Sequence, residues 1–136
     1  MVTEFAKDLT WEGHHDDLSN AIYVSGTQLR RMRRLVGQVD YIITDSPVLI
    51  GAMYAPTQIQ KPLEKILLHH HQEFDNFNVI VDRVKVFNPA GRSQTEKQAR
   101  ELDKRAMDLP IPSTEGAFRV PGEAAGVHMI MTELGL

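Results

Sequence analysis

The spacing of apolar residues predicts short strands and amphipathic helices in alternation. Residues 2–5 form a brief β-prone run, and apolar positions then recur every three, four or seven residues over 16–36, which predicts a helix. Runs 39–45 and 77–83 are nearly continuous, rich in β-branched residues and typical of buried parallel strands. A last short strand is predicted at 117–120.

Helix start signals extend this pattern. Ser46 and Pro47 resemble an N-cap and a first helical residue, and a second helical face follows within 63–74. A capping-box sequence opens a predicted helix over 93–109, and Glu123 opens a C-terminal helix. Strands that alternate with helices predict an α/β fold with a mostly parallel sheet.

Composition narrows the class of protein. A chain of 136 residues with 42% hydrophobic content is expected to form one domain, 1–136. It has no cysteine, which excludes disulfides, thiolate zinc sites and cysteine nucleophiles and fits a reducing cytoplasm. The acidic N-terminal residues do not resemble a signal peptide, and no apolar run approaches the roughly 20 residues of a membrane helix. We therefore expect a cytoplasmic protein without a membrane partner.

A run of basic residues interrupts an otherwise acidic first third of the chain. The run is Arg30, Arg31, Arg33 and Arg34. It lies in the C-terminal half of the predicted helix, where it forms a candidate face for an acidic protein or a phosphate-rich ligand. The alternative is a solvated helix end paired with Glu12, Asp16 or Asp17. Specific nucleic-acid binding is not expected, because no aromatic or helix-turn-helix pattern accompanies the run.

Histidines occur at 14–15 and at 69–71 and raise the question of a metal site. Adjacent helical residues point about 100° apart, so few of the three consecutive histidines can face one ion. We expect only adventitious metal binding there. No Ser-His-Asp order, nucleophile elbow or zinc-protease motif is present.

Several segments, taken in order, resemble phage-encoded P-loop ATPases and kinase-like proteins related to nucleoside and nucleotide kinases. The segments are 2–7 with 11–12, 28–31, 39–47 ending in Thr-Asp-Ser-Pro, 83–95 with 101–103, and 118–122. They span nearly the whole chain. The resemblance implies a three-layer, mostly parallel sheet flanked by helices, as in a truncated P-loop kinase.

The resemblance also implies roles for two acids. Asp45 matches the Walker B-like acid, which would hold Mg²⁺ beside the phosphates of ATP. The alternative is a strand-end residue that caps the next helix together with Ser46. Glu4 matches a position near the substrate pocket, or it is a solvated acid near the terminus.

Three bases match the kinase lid. Arg83, Lys85 and Arg92 would close over the transferred phosphate and neutralise its charge. The alternative is ordinary solvated loop charge.

The sequence departs from the family at the phosphate-binding loop. It contains no Gly-x-x-x-x-Gly-Lys-Ser/Thr, and its first strand matches the second strand of the family. The resemblance therefore predicts a kinase body that lacks a front strand-loop-helix module. The strands flanking that gap would close directly, pair with a second copy of the chain, or bind another protein by β-augmentation.

These observations predict a catalytically impaired, kinase-like binding protein. It would serve as a phage accessory or inhibitory protein that engages a macromolecule of the host cytoplasm or a nucleotide-like ligand. The enzymatic alternative is an ATP-dependent nucleoside or nucleotide kinase whose loop comes from another chain or from an upstream extension. A third hypothesis is an interaction module that uses the basic face alone.

Overall fold

A computed structural model describes residues 1–84, 95–110 and 118–136. The chain packs as two compact units, unit 1 (Met1–Asp75) and unit 2 (Asn76–Leu136). Unit 1 contains α1 (Phe5–Glu12), α2 (His15–Leu18), α3 (Ala21–Arg33), a 3₁₀ helix (Val48–Tyr54) and α4 (Thr57–His71). Unit 2 contains β1 (Val79–Asp82), α5 (Glu96–Met107), β2 (Phe118–Pro121) and α6 (Ala124–Glu133).

The predicted helix over 16–36 is present as two helices. Asn20 separates them, because its side chain accepts a 3.1 Å hydrogen bond from the amide of Tyr23 and so caps α3. Gly37, at φ +73°, lies just beyond the end of α3. One face of α3 is buried, with an interval of three or four residues between most of its members. These are Ala21, Ser25, Gln28, Leu29 and Met32.

The core of unit 1 lies where the 3₁₀ helix contacts both α3 and α4. Leu49 and Ala52 of this helix are completely buried. Gly51 approaches α3 so closely that a Cβ atom there would lie 2.0 Å from Ser25 Oγ and 3.5 Å from Leu67 Cδ1 of α4. Only a glycine fits this contact without a shift of its neighbours.

Two predicted strands of unit 1 are not formed. Val2 makes a single parallel bridge to Thr44, and its amide donates a 2.7 Å hydrogen bond to Ile43 O. The predicted strand at 2–5 ends there because the chain becomes helical at Phe5. Among the described residues, the run 39–45 consequently has no neighbouring strand along which a ladder could extend, and apart from the bridge at Thr44 it is irregular.

The predicted cap at Ser46 is also wrong. The Ser46 amide donates to Thr44 Oγ1 at 3.1 Å, and Pro47 stands at the N-cap position with extended backbone (ψ 141°) and no side-chain cap hydrogen bond. The first helical residue is therefore Val48. The second predicted helical face is confirmed by α4, which buries Leu63 and Leu67.

Unit 2 contains a parallel strand pair with a helix between its strands in sequence. β1 and β2 pair in the register Val79 to Phe118 through Asp82 to Pro121, which confirms the predicted strands at 77–83 and 117–120. α6 packs on β2, where a Cβ atom at Gly126 would lie 2.2 Å from Pro121 O. The described residues thus combine helices with a two-stranded parallel sheet, an architecture compatible with α/β.

The predicted helix over 93–109 is present as α5, and its predicted first residues, 93–94, lie outside the described residues. Thr95 is the N-cap of α5, since its hydroxyl accepts from the amide of Gln98 at 3.3 Å while Gln98 Oε1 accepts from the Thr95 amide at 2.8 Å. Within residues 1–84, 95–110 and 118–136, no helix is both long enough and apolar enough to cross a bilayer.

Two glycines of unit 1 provide a matched test of the core contact. Replacement of Gly51 by Ala forces the new methyl group against Ser25, and we expect a loss of about 1 to 3 kcal/mol of unfolding free energy. A Cβ atom at Gly26, within α3, would instead have open space around it to a distance of 4 Å. Gly26→Ala should therefore stabilise the protein by about 0.5 to 1 kcal/mol through helix propensity.

Urea denaturation followed by far-UV circular dichroism measures both effects. Equal midpoints for the two variants would show that the 3₁₀ helix does not press on α3.

Candidate functional site

A buried glutamine positions the start of α1. Gln28 is only 4% exposed, and its Oε1 accepts a 3.0 Å hydrogen bond from the amide of Phe5. Its Nε2 donates to Thr44 Oγ1 at 3.3 Å. Glu4 stands at the N-cap of α1 but makes no side-chain cap hydrogen bond. Gln28 satisfies the Phe5 amide, which is one of the first four amides of α1 and has no acceptor within the helix. These two hydrogen bonds of Gln28 fix the positions of Glu4 and of the 44–46 turn relative to α3.

Glu4 and Asp45, the two acids that the kinase resemblance singles out, lie close enough to interact. Partial burial raises the pKa of Glu4, and the negative charges of Asp45 and Asp8 raise it further, while Lys7 acts in the opposite direction. Asp45 itself is exposed. The pair therefore forms an acidic corner in which Glu4 ionises less readily than an ordinary glutamate.

Two of the four arginines of the basic run are held within unit 1. Arg31 forms a 2.7 Å ion pair with Asp8 of α1, and its guanidinium carbon lies 4.7 Å from the ring centroid of Phe5. Arg33 forms an ion pair with Glu73 and donates to His70 Nδ1 at 3.1 Å. These arginines fasten α1 and the end of α4 to α3.

The other two arginines of the basic run, Arg30 and Arg34, do not connect elements of unit 1 through ion pairs between described residues. Arg30 and Arg34 are exposed, and neither forms an ion pair with any residue in the described part of the chain. They are four residues apart at the C-terminal end of α3, so they share a helical face. The structure thus pairs the basic run with Asp8 and Glu73, not with Glu12, Asp16 or Asp17, and leaves two cations for solvent or a ligand.

An exposed β-prone segment follows these arginines along the chain. Val39, Tyr41 and Ile43 are 48%, 50% and 65% exposed. The amides of residues 39–42 donate no hydrogen bond to any described residue. This segment, called here the open segment (39–43), has the composition of a strand and an unsatisfied backbone edge.

Of the three candidate lid residues, the structure describes Arg83 alone. Arg83 follows β1 and donates two hydrogen bonds of 2.9 Å, from Nε and Nη2, to the two carboxylate oxygens of Asp103 on α5. That bidentate pair raises the pKa of Arg83. Lys85 and Arg92 lie outside the described residues. In this structure Arg83 therefore links β1 to α5.

The three consecutive histidines of α4 lie in different environments, one buried and two near the surface. His71 faces the core and is 5% exposed, and this burial lowers its pKa. His69 and His70 instead lie near Glu73, whose pKa is lowered chiefly by the hydrogen bond from Arg33. Sequence analysis missed Glu73 because it follows the helix, although it stands four residues after His69.

Comparisons of the chain with protein-family models, with curated proteins and with solved structures gave no match. The resemblance to P-loop kinases therefore stays a prediction that depends on motif order. Functional assignment must come from the charges and contacts of the described residues.

The role of Gln28 can be tested by truncation. Gln28→Ala leaves the buried Phe5 amide without its acceptor and removes the link from α3 to Thr44 Oγ1, which should cost about 1 to 3 kcal/mol of unfolding free energy. Gln38→Ala is the control because Gln38 is exposed and should change stability by less than about 0.5 kcal/mol. Chemical denaturation of both variants provides the comparison, and similar losses would contradict the bridging role.

The acidic corner predicts a pH dependence of stability. Because the folded pKa of Glu4 lies above its ordinary value of 4.5, stability falls as pH rises through the interval between the two values. Glu4→Gln removes that ionisation, so the variant should be more stable than the parent at neutral pH. The difference should vanish in acid below pH 4.5.

Thermal unfolding across this pH range measures the effect, with Glu64→Gln in the middle of α4 as the control substitution. A Glu4→Gln stability gain that persists unchanged in acid would contradict the assigned cause.

Proposed function

We propose that the protein acts by binding and that unit 1 captures an extended acidic segment of a partner protein. The observation that carries this proposal is the division of the basic run: Arg31 and Arg33 are held by internal ion pairs, whereas Arg30 and Arg34 are exposed without one among the described residues. The open segment follows directly in sequence. Together they offer positive charge and an unpaired backbone edge.

The charges favour an acidic partner. The chain as a whole carries a net charge of -3, so the pair Arg30 and Arg34 is a local positive feature on a mildly acidic protein. The C-terminal end of a helix carries the negative end of the helix dipole, which stabilises these cations before any ligand arrives. Exposed guanidinium groups bind carboxylates with two parallel hydrogen bonds, and such complementarity guides association and register.

The open segment supplies the means of pairing. A partner strand laid beside 39–43 would satisfy amides that have no acceptor among the described residues. Alternate side chains at Val39, Tyr41 and Ile43 would contact the apolar side chains of that strand. Exposed β-prone edges promote unwanted pairing, which is a reason to expect a specific occupant.

The kinase resemblance belongs to the same proposal. A P-loop kinase body without a Gly-x-x-x-x-Gly-Lys-Ser/Thr sequence would serve a phage as an accessory or inhibitory protein directed at a host macromolecule. The larger three-layer sheet of such a fold is proposed on the same basis. The parallel pair β1 and β2 with α5 between them in sequence supports it.

A second candidate function is phosphoryl transfer with ATP and Mg²⁺. The interaction between Glu4 and Asp45 favours it, since the resemblance assigns both acids to the nucleotide site.

Binding of a defined peptide tests the main proposal. The probe is a fluorescent peptide in which glutamate alternates with valine, and its anisotropy is measured at low salt. Arg30→Glu with Arg34→Glu should weaken binding by about tenfold or more, and added salt should weaken binding to the parent protein. The matched control is Lys61→Glu with Lys65→Glu, which reverses two exposed cations at the same spacing on α4.

Hydrogen exchange locates the pairing. The amides of 39–43 should become protected when the peptide binds, and protection elsewhere would refute strand pairing. Equal loss of affinity in both double variants would refute a specific role for Arg30 and Arg34.

Calorimetry with ATP and Mg²⁺ separates the two candidate functions. Phosphate release together with nucleotide binding, both lost in Asp45→Asn, would replace the binding proposal with the enzymatic one. Peptide-independent dimers in sedimentation analysis would identify a second copy of the chain as the occupant of the open segment.

A further inference from the structure

We propose that His69, His70 and Glu73 form a transition-metal site at the C-terminal end of α4, with Zn²⁺ as the fitting ion. This is the cluster of three metal-capable side chains found among the described residues, and its candidate ligand atoms all lie within 4.8 Å of one another. Two imidazoles and one carboxylate are a donor set that suits zinc. The site is separate from the acidic corner and from the open segment.

The distances between donor atoms match the needs of a small ion. His70 Nδ1 lies 3.3 Å from Glu73 Oε1, and His69 Nε2 lies 3.8 Å from the same oxygen. Zinc bonds of about 2.0 to 2.2 Å in a tetrahedron place neighbouring ligand atoms about 3.3 Å apart. Binding would bring the three atoms to that spacing by side-chain rotation, and the fourth position would be open to water.

Adjacent histidines can share this site because they use different ring nitrogens. Successive helical residues point about 100° apart, which is the reason that the sequence does not predict the cluster. In the structure, His69 reaches with Nε2 at the far side of its ring, whereas His70 uses Nδ1 near its backbone. Glu73 stands beyond the last helical residue of α4, four and three positions after them, and closes the group.

The guanidinium of Arg33 contacts two of these candidate ligands, His70 and Glu73. Arg33 Nη2 donates to His70 Nδ1 at 3.1 Å and forms an ion pair with Glu73. Arg33 Nη2 can only donate and Glu73 Oε1 can only accept, and both lie within 3.3 Å of His70 Nδ1, so the tautomer of His70 decides whether this nitrogen presents its lone pair or its proton. The tautomer with a lone pair on Nδ1 is the one that binds a metal ion through that atom. A metal ion at this site would compete with the guanidinium for His70 Nδ1 and for the Glu73 carboxylate, on which Arg33 contacts Oε2 whereas the histidines lie nearest Oε1.

The site is accessible, and the competition is weak enough to be reversed. The side chains of His69, Glu73 and His70 are 75%, 37% and 27% exposed, so an ion can reach them from solvent. The Arg33 side chain is 47% exposed, and exposed ion pairs contribute little to stability. Displacement of Arg33 by zinc thus does not require α3 and α4 to separate.

Titration of the full untagged chain with Zn²⁺ by calorimetry, and with Co²⁺ by visible absorption, tests the site. We expect one ion per chain with micromolar affinity and the absorption bands of tetrahedral cobalt. His69→Ala and Glu73→Gln should each weaken binding by about tenfold or more, since each removes or neutralises one of three ligands. His128→Ala, at an exposed histidine of α6, is the control and should bind like the parent.

Arg33 provides the sharper test because its loss has the opposite sign. Arg33→Gln removes the competing charge and should tighten Zn²⁺ binding by about three- to tenfold. Circular dichroism checks that each variant is folded, and Arg33→Ala serves as a second variant. Affinity that is unchanged in His69→Ala and Glu73→Gln, or that falls in Arg33→Gln, would overturn the proposal.

Discussion

Unit 1 depends on the buried face of α3, and within that face on the amide of Gln28. This side chain holds the first amide of α1 and the hydroxyl of Thr44 at once, which places two segments that have no ladder to align them. One turn earlier, Ser25 receives Gly51 in close contact. A single helical stripe thus sets both the polar connection and the apolar packing, and a shift of α3 would disturb both.

The basic run shows how position decides what a charge does. The four arginines are close in sequence but differ in their partners. Asp8 of α1 pairs with Arg31, and Glu73, which follows α4, pairs with Arg33. No acid of the described chain forms an ion pair with Arg30 or Arg34. Internal pairs orient helices, although each contributes little energy at the surface. Arg30 and Arg34 stay exposed. Neighbouring arginines of one helix end therefore differ in whether they connect helices.

Local signals were sufficient for α3, α4, α5 and α6 and for the two strands of unit 2, but they did not predict α1, where a strand was expected at 2–5. They were also insufficient for run 39–45, which was predicted as a strand and is irregular. The strands near 79 and 118 follow from their β-branched residues, whereas run 39–45 has the same composition and no strand beside it. Composition records a preference for strands, but a ladder requires a neighbour. For the same reason the sequence shows the arginine run without its acids. Gln28 leaves a signal, since it is a large polar residue on the face of α3 that also carries Leu29 and Met32.

The histidine cluster illustrates a further consequence of helix geometry. At the end of α4, the turn after His71 returns Glu73 to the side of His69 and His70, and α3 supplies a guanidinium to the lone pairs so assembled. The packing that joins these helices runs through the 3₁₀ helix, where Leu49 and Ala52 are completely buried. Apolar contacts at the 3₁₀ helix thus join α3 and α4, whereas the proposed exchange of Arg33 for zinc concerns exposed charged groups at the end of the interface. Loss of one exposed ion pair there would leave the buried contacts in place.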